Sequence, residues 1–321
     1  MDNVWFEILA LIGGFYLLAK GADGLVEGGE HIARHFDVSP LTIGLTVVAW
    51  GTSLPELVIS TWSAVEGKAG ASLGTVVGSN TANLGLVLGV GALILPATVE
   101  SKVRIRDGTW LLGSLLIVFG ALADGDISRL DGLLFVTAFL FYQYGLLKAG
   151  RAEGNGDILE RDTSPLGPHI TKVLIGSALI GIGAPTAMWA GEELANRVGL
   201  PEIVVGLSVY AVGTSLPELF AAISSARRGQ AAMGLGNVIG SNIFNVLAAL
   251  GCAGVVSPIV GAPDVLEEVM HQHVPVALTF SVVLLILPFL PRAGFRYKGI
   301  LVVTGYAAYM AYLMHVGLPK T

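Results

Sequence analysis

GTSLPELV (residues 51–58) and GTSLPELF (213–220) are nearly the same octapeptide, 162 residues apart. Each places an acid, Glu56 or Glu218, directly after a proline inside an apolar stretch. Both choices are costly there. Proline removes a backbone N–H and displaces the carbonyl four residues earlier, and an acid in mid-membrane costs roughly 2.5 to 3.5 kcal/mol. The similarity runs well beyond the octapeptide. Residues 21–89 align with 183–251 without a gap, and 29 of the 69 positions are identical. Shared apolar composition does not produce that many matches, so the chain carries an internal duplication.

The composition places both copies in a membrane. Of the 321 residues, 53% are hydrophobic and 13% charged, where a soluble domain carries about 25% charged residues. Apolar runs near the roughly 20 residues needed to cross a bilayer recur at about 4–30, 40–65, 71–94, 109–123, 130–148, 169–196, 201–226, 231–256, 273–291 and 296–316. The expected fold is an all-α integral membrane protein of ten transmembrane helices. Each copy opens a five-span half, and an odd number of spans turns the second half upside down, giving two inverted five-helix repeats. The expected divisions are residues 1–148 for the first repeat with its motif at 44–89, 149–168 for a linker, and 169–321 for the second repeat with its motif at 206–251.

Orientation follows from Lys and Arg rather than from the net charge of −6. One side holds Arg34, Lys102, Arg104, Arg106, Lys148, Arg151, Arg161, Lys172, Arg227, Arg228, Arg292, Arg296 and Lys298; the other holds only Lys68, Arg129, Arg197 and Lys320. The rich side is read as cytoplasmic, with the linker there and both termini outside, in a cell (inner or plasma) membrane. MDNVWFE lacks the basic region of a signal peptide, so the first helix is expected to be retained. The single cysteine, Cys252, excludes an intrachain disulfide.

In the motif itself, Pro55 and Pro217 are expected to bend their helices and free the carbonyls of Gly51 and Gly213. Thr52, Ser53, Thr214 and Ser215 add hydroxyls and carbonyls, and Glu56 and Glu218 add charge. Ser79 with Asn83, and Ser241 with Asn245, are four residues apart and share one helical face. All of these donors are oxygen-rich and none is sulfur or imidazole, which suits a hard cation such as Ca2+ rather than Zn2+ or copper. Gly74, Gly78, Gly236 and Gly240 are spaced for close helix approach. Other groups invite plainer readings. His271 and His273 are expected on a wetted external face, and His31 and His35 at an exposed helix end. Glu30 and Glu192 recur near helix ends, and Lys20 and Asp23 snorkel or pair.

GTSLPELV with GSNTAN (78–83), and GTSLPELF with GSNIFN (240–245), resemble the two alpha-repeats of the calcium/cation antiporter superfamily, in particular its prokaryotic sodium/calcium exchangers. The resemblance covers both repeats, and the ten-span reading agrees with its five-plus-five architecture. It implies no enzyme activity and no cofactor, but a secondary antiporter exchanging Ca2+ for Na+ by alternating access, the ions competing for a shared midplane site. Glu56 and Glu218 would hold Ca2+ with the carbonyls of Thr52 and Thr214. Sodium would use Ala49, Thr52, Ser53, Ser79 and Glu56, with Ala211, Thr214, Ser215, Ser241 and Glu218; Asn83 and Asn245 would face the middle. The implied partners are Ca2+, Na+ and the lipid bilayer, with no nucleic acid, and the protein is taken as a monomer.

The same family places the first and sixth spans as sliding elements, which the glycines at 13, 14, 21, 24, 28, 29, 176, 181, 183 and 191 would suit as a loose surface. Asn245 stands where potassium-dependent relatives carry Asp, and GTSLPE stands where proton-coupled ones carry a GNxxE-type motif. A proton- or potassium-coupled antiporter of the same fold is the alternative. A cation channel would need no counter-ion. An intramembrane hydrolase finds no GxSxG, HExxH or paired catalytic aspartates. Thr75 opposite Asn237 is an asymmetry between the repeats that the sequence leaves without an account.

Overall fold

A computed structural model describes residues 4–94, 101–153, 163–199, 211–261, 266–267, 269–286 and 295–317. Among them run ten helices. They are α1 (Val4–Phe36), α2 (Pro40–Val65), α3 (Ala69–Ile94), α4 (Ser101–Ala121), α5 (Arg129–Glu153), α6 (Leu166–Arg197), α7 (Leu216–Arg227, preceded by the short turn Ala211–Gly213), α8 (Ala231–Val256), α9 (Val269–Ile286) and α10 (Phe295–Gly317). Seven of these are long and apolar enough to cross a membrane by composition alone. Two short strands, β1 (Asp126–Ile127) and β2 (Ile259–Val260), pair antiparallel and tie the α4–α5 connection to the α8–α9 connection.

The repeat is visible in the local structure. Gly67 after α2 and Gly229 after α7 both take a left-handed backbone, with φ of 72° and 73°. The next amide then reaches back into the helix, Lys68 N to the Ser63 carbonyl and Gln230 N to the Ser225 carbonyl, both at 2.8 Å. Only glycine adopts this φ without strain, and the bond satisfies a carbonyl the helix end would otherwise orphan. Both turns therefore stop the motif helix at the same place and start the next one.

Helices α1 and α6 show the inversion directly. A Cβ on Gly14 would meet Ala187 and Gly183, one on Gly21 would meet Gly176 and Ile180, and one on Gly28 would meet His169 and Val173, all within 3.2 Å. Residue numbers rise along α1 as they fall along α6, so these equivalent helices are antiparallel. Of the glycines expected to form a loose surface, those at 14, 21, 28, 176 and 183 are instead in close contact between α1 and α6. Gly14, Gly21 and Gly28 recur every seven residues and form a seam along which two backbones touch, the small-residue packing that replaces a hydrophobic driving force in lipid. Gly13 and Gly181, by contrast, have nothing within 4 Å. A bidentate ion pair, Arg197 Nε to Glu7 Oε2 and Arg197 Nη2 to Glu7 Oε1, both 2.6 Å, clamps one end of the pair.

Helix α4 starts at Ser101, earlier than the apolar run suggests. Lys102, Arg104 and Arg106 therefore lie on its first turns and not in a loop. Asp107 explains how charge is tolerated: it is fully buried, pairs with Arg106 at 2.9 Å and accepts from Tyr142 Oη of α5 at 3.3 Å. The expected span at 201–226 falls partly outside the described residues, as do the end of the 273–291 span and residues 154–162 of the linker.

At the centre lies α8, the most enclosed of the spans, crossing α2 at very short range. A Cβ on Gly44 would sit 2.2 Å from the Met233 carbonyl oxygen, one on Gly236 2.4 Å from the Leu41 carbonyl oxygen and one on Gly240 2.7 Å from Leu45. This is the close approach expected of Gly236 and Gly240; Gly74 and Gly78, of which it was also expected, have nothing within 4 Å. It brings the start of the first repeat's motif against the third helix of the other repeat.

Candidate functional site

Helix α2 is amphipathic in the sense opposite to a soluble helix. Trp50, Leu54, Val58 and Trp62, four residues apart, are exposed, while Thr52, Ser53, Glu56, Ser60 and Ser63 are buried. In lipid the apolar stripe faces outward and the polar one is kept inside the bundle. The inward face begins where the helix is widened. Gly44–Val48 is a π-helical turn ending just before Ala49, and equivalent turns at Asn83–Val87 in α3 and Asn245–Leu250 in α8 begin on the two candidate asparagines. Such turns have five-residue hydrogen-bond rings and collect at functional sites.

The prolines behave differently in the two copies. Helix α2 continues through Pro55. The second copy is interrupted by a turn at Thr214–Ser215, and α7 restarts with Ser215 as N-cap and Pro217 in its first turn, the position where its missing N–H costs nothing. The expected break is present at Pro217; at Pro55 the helix is uninterrupted.

The side chains converge across the two repeats. Thr52 Oγ1 lies 3.3 Å from Ser241 Oγ, and the quasi-equivalent Ser79 Oγ lies 3.1 Å from Thr214 Oγ1. Thr52 also reaches the Ala49 carbonyl at 3.3 Å, which draws that oxygen to the cluster. Ser215 Oγ donates to the Ser79 carbonyl at 3.4 Å. Ser53 Oγ donates to Glu218 Oε1 at 2.8 Å, from one repeat to the acid of the other. Asn80 Nδ2 donates to the Asn242 carbonyl at 3.2 Å, joining the same position of both repeats where α3 and α8 meet.

Glu56 and Glu218 are both fully buried and lie within electrostatic reach of each other. Among the described residues, neither oxygen of Glu56 has a hydrogen-bond partner, nor does Glu218 Oε2. Asn83 and Asn245 are fully buried, and all four of their side-chain polar atoms are without a partner as well. Two buried carboxyls with three of their four oxygens unpartnered among the described residues are costly as bare charges in low dielectric. A hard cation of one or two charges would supply what they lack. No cluster of three or more His, Cys, Asp or Glu side chains occurs among the described residues, so the donor set is two acids plus neutral oxygens.

Nine of the twelve predicted residues meet in this cluster; Asn83 and Asn245 are buried one turn beyond Ser79 and Ser241 on the same helices, and Ala211 has its backbone in the Ala211–Gly213 turn and an undescribed side chain. Three buried asparagines were not anticipated: Asn80, Asn242 and Asn237. The first two were signalled by standing in both copies of GSN, and Asn237 only by its mismatch with Thr75.

The plainer readings divide. Asp23 accepts from Ser224 Oγ of α7 at 2.6 Å, and Lys20 lies 6.0 Å from the Tyr16 ring centre, so pairing holds for both. His271 is exposed, but His273 bonds Tyr309 Oη of α10 at 2.6 Å and is half-buried. His31 is half-buried and stacks on His169 of α6 with ring centres 4.2 Å apart, which corrects the expectation of a free helix end. The seam at Gly28 brings the two rings together.

A pair of buried acids in an oxygen-only cluster, built from inverted repeats of membrane helices, defines a secondary cation transporter. The chain belongs to the sodium/calcium exchanger protein family, which matches residues 6–148 and 169–315. It is 34% identical to inner membrane protein YrbG of Escherichia coli (strain K12), over 94% of this chain and 95% of that one. It is 32% identical to sodium/calcium exchanger MaX1 of Methanosarcina acetivorans, over 98% of this chain and 100% of its relative. The fold matches the sodium-calcium exchanger NCX_Mj soaked with 100 mM Na+ and 10 mM Sr2+, with a TM-score of 0.81 and 29% identity over 99% of this chain and 100% of that one. The protein is an integral membrane protein of ten helices in two inverted five-helix repeats, a transporter and not an enzyme.

Proposed function

We propose that the protein exchanges Ca2+ for Na+ by alternating access, with both ions competing for the cluster around Glu56 and Glu218. The observation that carries this reading is that three of the four carboxylate oxygens, all buried, have no hydrogen-bond partner among the described residues. Thr52, Ser53, Ser79, Thr214, Ser215 and Ser241 supply neutral oxygens, Ala49 and Ala211 main-chain carbonyls, and Asn83 and Asn245 amide oxygens at the centre. Family membership supports sodium as the counter-ion over protons or potassium.

The charge balance gives exchange rather than leak. Two ionised carboxylates carry −2, which one Ca2+ or two Na+ neutralise. Either load lets α1 and α6 move past the bundle without an unpaired charge in low dielectric, while the unloaded pocket is held in place by its own charge. A further Na+ would make transport electrogenic. The glycine seam and the Glu7–Arg197 clamp keep α1 and α6 together as one moving body. The excess of Lys and Arg on one face supports a cell-membrane placement with the 149–168 linker cytoplasmic and both termini outside. The family match falls in two blocks separated at that linker, in keeping with a first repeat at 1–148 and a second at 169–321. A monomer suffices, because both halves of the cluster come from one chain.

The test is sodium-driven 45Ca2+ uptake into proteoliposomes holding purified protein, varying Na+, K+ and H+ separately. Uptake that needs a sodium gradient and is lost in Glu56→Gln and Glu218→Gln is the expected result. Normal uptake by either variant, or uptake driven equally by a pH gradient without sodium, overturns the reading.

A further inference from the structure

Asn237 lies on α8 one turn before Ser241 and is fully buried. Its side-chain oxygen accepts from Thr52 Oγ1 at 3.1 Å and from Ser241 Oγ at 3.5 Å. Those hydroxyls lie 3.3 Å from each other, and Ser53, next to Thr52 in the chain, donates to Glu218 at 2.8 Å. A hydroxyl has one proton and two lone pairs, and an amide oxygen has two lone pairs of its own. A cation beside Glu218 needs the lone pairs of Thr52 and Ser241, so their protons must point to another acceptor. Asn237 Oδ1 is an acceptor within reach of both, with one lone pair for each.

The quasi-equivalent half of the cluster is arranged by other means. Ser79 Oγ donates to the Thr75 main-chain carbonyl at 2.6 Å, and the Thr75 hydroxyl is itself turned to the Ala71 carbonyl at 2.8 Å. A backbone oxygen thus orients Ser79, where a side-chain amide orients Ser241 and Thr52. The mismatch of Thr75 with Asn237 gives the two halves different proton acceptors.

We propose that Asn237 is a positioning residue for sodium. By taking the hydroxyl protons of Thr52 and Ser241 it turns their oxygens toward a Na+ beside Glu218, and it makes this half of the cluster the tighter of two sodium half-sites. The inference rests on the ion-site reading given above. Ca2+ is balanced chiefly by the two carboxylates, whereas Na+ in one half-site draws more of its coordination from neutral oxygens. The effect of Asn237 therefore falls on sodium.

The experiment uses the full chain in proteoliposomes and measures 45Ca2+ uptake as a function of Na+ and of Ca2+. In Asn237→Thr, which copies the residue of the first repeat, half-saturating Na+ rises about tenfold, the loss of about one oriented hydrogen-bonding partner. The half-saturating Ca2+ moves less than about twofold. Unchanged sodium dependence, an equal shift for both ions, or a lower maximal rate with both half-saturations intact overturns the proposal. If Asn237→Thr does not yield folded protein, Asn237→Asp carries the test, since it is isosteric and keeps the acceptor oxygen. Its half-saturating Na+ is expected at or below the wild-type value, and a weaker one overturns the proposal. Glu218→Gln is assayed alongside. If that variant exchanges normally the ion-site reading itself has failed; if it is inactive while Asn237→Thr leaves sodium untouched, only the role of Asn237 has failed.

Discussion

Residues 51–57 and 213–219 are the same seven amino acids, GTSLPEL, in two conformations. In the first repeat they form uninterrupted helix through Pro55, and in the second the chain turns at Thr214–Ser215 and restarts helix at Leu216. The acids differ as well. Glu218 receives Ser53 at 2.8 Å, while Glu56 has no partner among the described residues, because Ser215 is turned to the Ser79 carbonyl. Local propensity cannot separate identical heptapeptides. Their surroundings can: Gly51 packs against Ser177 and Leu25, and Gly213 against the Met188 side chain. One motif is thus held in two ways, and an inverted-repeat carrier needs two unlike states of its halves to open to one side at a time.

The sharpest way to break this comparison is to neutralise each acid. Glu56→Gln and Glu218→Gln should each lower Ca2+ uptake at least about a hundredfold, since losing one charge of the pair costs about 3 kcal/mol or more in ion binding. Their ion-free melting temperatures should separate them. Glu56→Gln is expected to raise it more than Glu218→Gln does, because Glu56 is the carboxyl without a hydrogen bond to lose; equal shifts would mean the two acids are held alike.

Next in size is the seam between α1 and α6. Gly21→Val puts a side chain where a Cβ already lies 2.7 Å from the Gly176 carbonyl oxygen, and it should destabilise the protein by about 2 to 3 kcal/mol. Gly181→Val, with nothing within 4 Å, should stay within about 0.5 kcal/mol. Thermal unfolding in detergent reads both, and similar losses would show that the seam is not where these helices touch.

Ser53→Ala should raise half-saturating Ca2+ by roughly tenfold, the size of one hydrogen bond to a charged group. Ser215→Ala, whose bond is 3.4 Å to a carbonyl, should raise it less than about threefold. Uptake titrations that reverse this order would place the better-held acid in the first repeat. Smallest is Glu27→Gln. It removes the ion pairs to Lys172 (2.6 Å) and Arg228 (3.1 Å), which are about a third exposed, and should cost no more than about 1 kcal/mol in melting experiments.

Much of this was legible before any coordinates. The duplication, the odd number of spans in each half and the acids placed against apolar flanks together specify inverted repeats around an oxygen-rich pocket, because acids in a membrane span must face the bundle interior or a polar cavity and not lipid. The glycines at 14, 21 and 28 were visible too, but not their meaning. Spacing shows that a face is small, and only the tertiary structure shows which helix it packs against. The start of α4 was hidden because hydropathy discounts charged residues, and Asp107 hides its charge by pairing with Arg106 and Tyr142.

What the sequence by itself determined is therefore the architecture and the chemistry of the donors: carboxylate, hydroxyl and amide at fixed spacing, twice. The tertiary structure decided which donor meets which. The π-helical turns have no local sequence signature, the contact of Ser53 with Glu218 spans 165 residues, and the meeting of Thr52 with Asn237 spans 185. Such long-range contacts depend on how two helices cross at Gly44, Gly236 and Gly240, and the crossing is set by packing between the repeats, which neither copy of GTSLPEL contains.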